Sequence, residues 1–583
     1  MPRRFRSVHS LIAFCMLVFV ALVPSVSSAD ISGTVKDLDT EEPIEGARVH
    51  VQADPDGTVV ITGADGTFTL PINPVDPVII TAGVPYDPDA TDNWTTNGLF
   101  SPVANGTTDV EIFLPKLPAA DDPDYEPLTI DNSCSSCHGN QVADWMGTSH
   151  SIAAVDPWVL DLYSGTGTPG GSAGYVFRDT HDPDNTGFCA TCHTPIAEAF
   201  NPGGVFLDEV TDPAALEGVS CIACHQIADV NENVDALHLL GNATYRFPEP
   251  TSFPTSQYVW GSLDDVTFGG MRASYNPVFA DSRFCASCHQ YNNPFTGAPG
   301  QNTYGEWLES PFAQAGPGFQ SCQDCHMAEL PPAQVCTQPF NPTRPSEQNH
   351  SHAFPTATAM NYGAAIDLTM DCVEENGTVR VTAAVENFGL GHAFPTGVSI
   401  RNALLVVEAT WNGQTLSQIA GPTIPFYGSD DVPGVQPGDY AGQPGKGFAK
   451  VLEGRINGQG PTVRPVLFID AEGVFEDTLI PAGETDVSEL IFSLPSGAEP
   501  GDSVEVTARV LYRRAWRALA VTKGWTETPL GGPIELEVAS ADSSVTLIGS
   551  GAGILEIPTL GTWGLGLLAS LLAVAGAWAL RRR

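Results

Sequence analysis

Apolar and polar residues alternate in two segments of the chain, a pattern typical of strands with one buried face. In residues 30–117 the alternation predicts five short strands, at 31–35, 47–51, 67–70, 78–81 and 110–114. In residues 365–545 apolar residues recur at every second position over 379–385 and 504–510, and Asn412-Gly413 predicts a tight hairpin. We therefore expect a small β-sandwich and a larger one of immunoglobulin-like type.

The segment between them, residues 118–364, has few long periodic stretches. Short helices are predicted at 213–217, with Asp212 as the cap, and at 256–260 and 304–309. The stretch from Cys134 to Cys336 holds 11 of the 13 cysteines. We expect a loop-rich, mainly α domain whose cysteines bind a cofactor.

The two ends of the chain carry apolar stretches. Residues 1–29 combine three arginines, an apolar run and a small-residue cleavage site, which is typical of a secretory signal peptide. Residues 546–583 contain an 18-residue apolar run at 563–580, followed by three arginines. This run is just long enough for a transmembrane helix. We expect an exported protein, periplasmic or at the cell surface, anchored at its C-terminus before any processing.

The charge of the chain restricts its partners. With 68 acidic against 25 basic residues, the formal net charge is −43, so nucleic acid would be repelled and is not expected as a partner. A cationic protein or another positively charged acceptor would be attracted.

Five copies of the motif C-x-x-C-H identify the cofactor. Two cysteines three positions apart can bind the two vinyl groups of one porphyrin, and the next histidine can bind its iron. The sequence therefore predicts five covalently bound haem c groups. The cysteines are Cys134, Cys137, Cys189, Cys192, Cys221, Cys224, Cys285, Cys288, Cys322 and Cys325, and the iron-binding histidines are His138, His193, His225, His289 and His326.

Zinc sites and disulfides are the alternative interpretations of these cysteines, but neither explains a histidine directly after the second cysteine five times. Cys336 and Cys372 are left over in the mature chain, and a disulfide between them is one interpretation, a buried thiol the other.

An electron carrier needs a second ligand on each iron. The predicted distal ligands are His150, His181, His238, His352 and His392. His350 competes with His352 for one iron. We favour His352, because SHAFPT at 351–356 repeats as GHAFPT at 391–396.

Three parts of the chain resemble known families. CSSCHGNQVADWMGTSH at 134–150 and GHAFPTG at 391–397 resemble the multihaem cytochromes c related to the tetrahaem electron acceptor of hydroxylamine oxidoreductase. That resemblance implies bis-histidine haems in close pairs, and it carries over His150 alone as a matched ligand position. The present chain departs from it in having five motifs, wide gaps between them and a second sandwich.

The N-terminal segment resembles the carboxypeptidase regulatory-like family through ISGTV at 31–35, PIEGARVHV at 43–51 and TGADGTFTL at 62–70, which implies a transthyretin-like sandwich. IPTL at 557–560 with the apolar run and the arginines resembles the IPTL-type sorting signal of Gram-negative bacteria. Such a signal implies removal of the tail, whereas a permanent anchor is the alternative.

Together these patterns predict a multidomain protein: signal peptide 1–29, sandwich 30–117, pentahaem cytochrome c domain 118–364, sandwich 365–545 and sorting signal 546–583. We expect electron transfer outside the cytoplasm, between a periplasmic or membrane donor and a cell-surface acceptor, with redox proteins as partners and an oligomer or filament as an option. The alternative is an oxidoreductase that acts on a small nitrogen or sulfur compound at a five-coordinate haem. No catalytic residue is predicted.

Overall fold

The computed structural model describes residues 30–72, 77–131, 133–167, 171–231, 242–249, 257–267, 270–337, 341–355, 357–429 and 436–548. The predicted signal peptide and the run at 563–580 lie outside these ranges. Within the ranges no helix is long and apolar enough to cross a bilayer. The chain forms two compact units. Unit 1 comprises 1–356, 452–475 and 522–532, and unit 2 comprises 357–451, 476–521 and 533–583.

Unit 1 begins with the predicted small sandwich. Its strands are β1 (Ile31–Asp37), β2 (Arg48–Val51), β3 (Val60–Ile61), β4 (Thr67–Leu70), β5 (Ile80–Gly83), β6 (Asn97–Gly98) and β7 (Val110–Leu114). They form two sheets of order β4-β1-β7 and β3-β2-β5-β6, which bury one shared apolar core. Gly33 of β1 is required by packing, because a Cβ there would lie 2.0 Å from the carbonyl oxygen of Val110.

The cysteine-rich part of unit 1 consists of short elements joined by loops. Its helices are α1 (Gly139–Met146), α2 (Pro157–Tyr163), α3 (Phe177–Thr180), α4 (Cys189–His193), α5 (Pro195–Phe200), α6 (Pro213–Leu216), α7 (Cys221–His225), α8 (Arg283–His289), α9 (Thr303–Leu308) and α10 (Cys322–His326). Three two-stranded sheets pair β8 (Ile227–Val230) with β9 (Ala243–Tyr245), β10 (Tyr258–Gly261) with β11 (Arg272–Tyr275), and β12 (Gln290–Asn292) with β13 (Pro299–Asn302).

The short helix predictions have different outcomes. Helix α6 is confirmed, since the Asp212 carboxylate accepts hydrogen bonds from the backbone N–H groups of Ala214 and Ala215. Helix α9 is also confirmed. The prediction of a helix at 256–260 is wrong, because Tyr258–Gly261 is a strand that pairs in parallel with Arg272–Tyr275. That pairing is between segments far apart in the sequence, and it overrides local propensity.

Unit 2 contains the predicted larger sandwich. Helix α11 (Ala359–Gly363) comes first, followed by β14 (Ile366–Glu375), β15 (Thr378–Asn387), β16 (Asn402–Trp411), β17 (Gln414–Thr415), β18 (Gln418–Ala420), β19 (Gly445–Gly454), β20 (Ala471–Asp477), β21 (Thr485–Ser493), β22 (Ser503–Arg513), α12 (Arg517–Lys523) and β23 (Glu535–Thr546). The chain passes between the units within β19, β20 and α12.

Two sheets bury the core of this sandwich, with orders β14-β15-β21-β18 and β20-β19-β16-β22-β23. The predicted alternation is confirmed in β15, where every second side chain from Val379 to Asn387 is buried. The predicted hairpin is also confirmed. Asn412 and Gly413 both have positive φ, 49° and 77°, and Trp411 pairs with Gln414 across the turn.

Two adjacent aspartates join the small sandwich to the cysteine-rich part of unit 1. The Asp265 carboxylate accepts hydrogen bonds from the Arg344 guanidinium at 2.5 and 2.6 Å and from the backbone N–H of Ala53 at 2.8 Å. Asp264 accepts hydrogen bonds from Arg48 at 2.5 Å and His50 at 3.0 Å. Because Asp265 and Arg344 are buried, neither can exchange its partner for water.

We expect Asp265→Asn to destabilise unit 1 by about 3 to 5 kcal/mol, because it leaves the buried Arg344 guanidinium without its counter-charge. The measurement is the free energy of unfolding from urea denaturation of the haem-loaded protein. Asp124→Asn, at an exposed position in the same unit, is the matched control. Equal stability of the two variants would show that the buried pair contributes little.

Asp264 should make unit 1 sensitive to acid. Burial alone would raise its pKa, but hydrogen bonds from His50 and Arg48 and their charges outweigh burial and lower the pKa from 3.8 to about 2. Since the pKa of the folded state is depressed, this stabilisation is present above about pH 4 and is lost as the pH falls towards 2. In acid titrations followed by circular dichroism, Asp264→Asn should lose less stability over that interval than the wild type. Parallel curves for the two proteins would contradict this assignment.

Candidate haem site

Four of the five motifs lie on single helical turns. Helices α4, α7 and α10 consist of C-x-x-C-H alone, and α8 ends with it. The first motif forms a turn of its own, in which the backbone N–H of His138 donates to the carbonyl of Cys134 at 2.8 Å. Residues three apart on a helical turn share a face, so both cysteines of a motif point to the same side.

The histidines of the first three motifs are oriented by a common interaction. Nδ1 faces a backbone carbonyl oxygen in His138 (Val335, 2.9 Å), His193 (Ala153, 2.9 Å) and His225 (Trp260, 2.7 Å). Donation from Nδ1 fixes the tautomer in which Nε2 carries the lone pair, which is the form that binds a metal. Burial lowers the pKa of His225 to about 4, which also favours the neutral ring.

These features fit haem c. Each motif has two thiols on one face. In motifs 1, 2 and 3 the histidine also has its Nε2 lone pair available to bind a metal. None of the cysteines in the described ranges forms a disulfide. Nor do three or more His, Cys, Asp or Glu side chains there gather into a cage for a separate metal ion. When bound, haem c would supply an iron centre that takes up and releases single electrons.

The motifs lie against one another. The thiols of Cys134 and Cys221 share a hydrogen bond, which lowers the pKa of Cys134 to about 7. The same contact joins Cys192 to Cys288 and Cys285 to Cys322. Motif 1 therefore contacts motif 3, motif 2 contacts motif 4, and motif 4 contacts motif 5.

Motifs 3 and 4 are also close to each other. Burial raises the pKa of the Cys224 thiol to about 12, and the charge of Cys288 contributes. Cys224 in turn contributes to the raised pKa of Cys285. All five motifs thus belong to one connected group.

Comparison with known proteins gives a match for the first three motifs. Residues 133–226 match the family model of cytochrome c554 and c-prime. This segment is therefore similar to multihaem cytochromes c. Residues 557–583 match the IPTL-CTERM motif. No curated protein matches the chain. One solved structure that aligns with it is a penta-heme cytochrome c552 from Thermochromatium tepidum, at 20% identity and a TM-score of 0.47, over 71% of this chain and 97% of that one.

His150, the ligand position implied by the resemblance, lies in a turn after α1. The ring centroid of His150 lies 6.2 Å from that of His289 in motif 4 and 4.7 Å from that of Phe354. Two imidazoles that bind one metal ion from opposite sides, with metal–nitrogen bonds of about 2 Å, have centroids about 6 Å apart. His150 thus lies near the histidine of motif 4, and burial followed by the charge of His326 in motif 5 lowers the pKa of His150 to about 4.

His352 and His350 have different surroundings. Both ring nitrogens of His350 face carbonyl oxygens, Nδ1 that of Met327 at 2.9 Å and Nε2 that of Glu347 at 3.1 Å. In His352 only Nδ1 does so, towards the carbonyl of His350 at 3.1 Å. Burial lowers the pKa of His352, and the charge of His138 contributes. The choice of His352 over His350 stays a prediction.

Asp144 holds the segment that presents His352. Its carboxylate accepts hydrogen bonds from the Ser351 hydroxyl at 2.9 Å and from the backbone N–H of His352 at 3.1 Å. Asp144 lies on α1, which begins directly after His138. One short helix thus follows the ligand of motif 1 and also fixes a distal candidate. Sequence reasoning missed this aspartate, because nothing in its local pattern indicates a partner 208 residues away.

His181 has an unexpected partner. Its Nε2 lies 2.9 Å from the buried carboxylate of Asp470, which also accepts hydrogen bonds from the Tyr175 hydroxyl and the backbone N–H of Asn457. Its Nδ1 lies 3.2 Å from the carbonyl of Phe177. Both ring nitrogens are therefore used within the protein. An iron-binding role for His181 would require the loss of the bond to Asp470.

The remaining predicted residues are more dispersed. His392 lies in unit 2, on the loop after β15, with Nδ1 3.0 Å from the carbonyl of Ala393. His238 lies outside the described residues. The suggested Cys336–Cys372 disulfide is not formed. Cys336 accepts a hydrogen bond from the Asn341 side chain at 3.3 Å, and Cys372 contacts Ser543. Each thiol is thus engaged within its own part of the chain.

We expect His352→Ala to convert one iron from low to high spin, because it removes the imidazole whose Nε2 is positioned for a metal. His350→Ala should leave the spin state unchanged and is the matched control. Electron paramagnetic resonance of the oxidised protein measures both variants. An identical response of the two, or a high-spin signal from His350→Ala alone, would contradict the assignment.

Proposed function

We propose that the protein transfers electrons outside the cytoplasm through five covalently bound haem c groups, between a periplasmic or membrane donor and a cell-surface acceptor. One observation carries this proposal: thiol contacts join motif 1 to motif 3 and motif 4 to motifs 2 and 5, and the charge of Cys288 in motif 4 acts on Cys224 in motif 3. Porphyrins attached at these positions would be near neighbours, as stepwise electron transfer requires. The match of residues 133–226 to a multihaem cytochrome family supports the proposal.

We further assign His150 and His289 to one iron. The 6.2 Å between their ring centroids supports this pairing. His352 is assigned to the motif 1 or motif 3 iron, since its charge and those of His138 and His225 influence one another. His238 and His392 stay as proposed ligands of further irons.

Export is part of the proposal. The apolar N-terminus and the C-terminal match to the IPTL-CTERM motif both favour an exported protein. We also propose that residues 563–580 anchor the chain before the tail is removed, and that the host is a Gram-negative bacterium. Assembly into oligomers or filaments is proposed as well. Redox proteins or an extracellular acceptor would be the partners.

A second candidate function is favoured by a specific observation. Among the described histidines outside the motifs, His50, His181 and His350 each have both ring nitrogens engaged. Of the five predicted distal ligands, His181 is among these, so four are left for five irons: His150, His352, His392 and, outside the described residues, His238. One iron would then lack a distal histidine and could bind a small nitrogen or sulfur compound.

The two candidates differ in spin state. For the electron carrier we expect the mass of the purified mature protein to include five porphyrins, and its resonance spectrum to be wholly low spin. A high-spin component that is converted by added cyanide would instead favour the oxidoreductase. A mass without added porphyrin would contradict both. Cys221→Ser with Cys224→Ser is the matched control and should remove one porphyrin.

A further inference from the structure

The outer sides of the motif helices show which motifs reach the surface. The two residues between the cysteines lie on the opposite side of the turn from the thiols, so their burial reports the protein packed behind the motif. Behind motifs 2, 3 and 4 these residues are at most 6% exposed: Ala190, Thr191, Ile222, Ala223, Ala286 and Ser287. Those three motifs are therefore internal.

Motif 5 is different. Asp324, between its cysteines, is exposed, and so is Cys325. Helix α10 is held along one side, where the Gln323 amide donates to the carbonyls of Phe279 and Asp281 and the Cys322 N–H donates to Ser282. This motif thus lies at the surface, and its thiol contact with Cys285 links it to the internal motifs.

Motif 1 also has an exposed residue, Ser136, but a neighbouring segment covers the turn. Thr337 donates its backbone N–H to the carbonyl of Cys137 at 3.0 Å and its hydroxyl to that of Ser136 at 3.0 Å. Motif 5 is therefore the more accessible end of the connected group.

The surface around motif 5 combines apolar and acidic side chains. Phe319 and Leu308 are 46% and 38% exposed. Gln320 joins this patch to the motif, since its carbonyl accepts from the Trp307 ring at 2.9 Å and its side chain lies 3.9 Å from Cys325. An apolar centre with charged surroundings is the usual composition of a transient interface.

The exposed charges near motif 5 are mainly acidic. Glu309 is exposed next to Leu308 in the sequence and Glu329 is exposed four residues after Cys325, and residues 284–343 include neither Lys nor Arg. Arg283, which precedes this stretch, is paired with Asp281 at 2.9 Å. A cationic partner therefore complements this surface. A second copy of this chain does not fit, because its own net charge is −43.

We propose that the surface formed by Leu308, Glu309, Phe319, Asp324 and Glu329 is the docking site for a lysine-rich redox protein, with motif 5 as the contact through which electrons enter or leave. This inference rests on the proposed electron-transfer function and deepens it. The carboxylates attract and orient the partner, and the apolar residues exclude water from the contact.

The experiment uses the full-length haem-loaded protein and a lysine-rich monohaem cytochrome c as the probe. Binding is measured by surface plasmon resonance with both proteins oxidised, so that no electron moves and the electron-transfer function is not tested. We expect Glu309→Gln with Glu329→Gln to weaken binding about three- to tenfold at low salt, and the loss to shrink at high salt. Asp324 is left intact because it caps α10.

Glu42→Gln with Glu45→Gln, two exposed carboxylates of the small sandwich, removes the same charge elsewhere and should change the affinity less than about twofold. Zero-length carboxyl-to-amine cross-linking should place the probe on Glu309 or Glu329. The proposal would be overturned if the two double variants had equal effects or if cross-links formed only on other carboxylates. An affinity that does not change with salt concentration would also overturn it. Self-association of the chain that Glu309→Gln with Glu329→Gln abolishes would also overturn it, in favour of a second copy.

Discussion

The contact between thiols of different motifs is the constraint on which the rest of unit 1 depends. The five C-x-x-C-H turns come from a stretch of nearly 200 residues and have to come together. The space next to their thiols has to stay open for porphyrins. Long helices or a large sheet would occupy that space with their own side chains. The chain instead uses helices of four to eight residues and two-stranded sheets. Such short elements position each motif turn without covering its thiol face.

Backbone carbonyls outside the motifs then orient the imidazoles of three motif histidines. Val335, Ala153 and Trp260 each accept from a motif histidine, and all three come from segments remote from the motif that they serve. Asp144 accepts a hydrogen bond from the backbone N–H of the distal candidate His352. Val335 lies in a loop, whereas Trp260 lies in β10 and Ala153 begins a 3-10 helix. A carbonyl oxygen has two lone pairs, so it can accept from an imidazole whether or not it also takes part in a helix or a sheet.

The sequence predicts what is local or periodic. Alternation identified β15 and β22, Asn412-Gly413 identified a hairpin, and Asp212-Pro213 identified the start of a helix. The five motifs are also local signals, so their residues could be named from the amino-acid sequence alone. Interactions between remote segments could not be predicted. The strand at Tyr258–Gly261 needs Arg272–Tyr275, and the environment of His181 needs Asp470, 289 residues away.

The same limit applies to the distal histidines. Their number and local strings are in the sequence, but their surroundings are not. His350 and His352 are two residues apart, yet both ring nitrogens of His350 face carbonyls and only one of His352 does. His150 lies beside the histidine of motif 4, although motif 1 is only twelve residues before it in the sequence. Which imidazole meets which turn is decided by the tertiary fold.

The discontinuous composition of unit 1 constrains the order of its biogenesis. Residues 452–475 and 522–532 belong to it, while the last attachment motif ends at His326. A ribosome makes the N-terminus first, so every cysteine pair is synthesised before the segments that complete the unit. Lys523, whose ammonium donates to carbonyls of Asp161 and Gly171, can therefore close the unit only after the last attachment motif has been made.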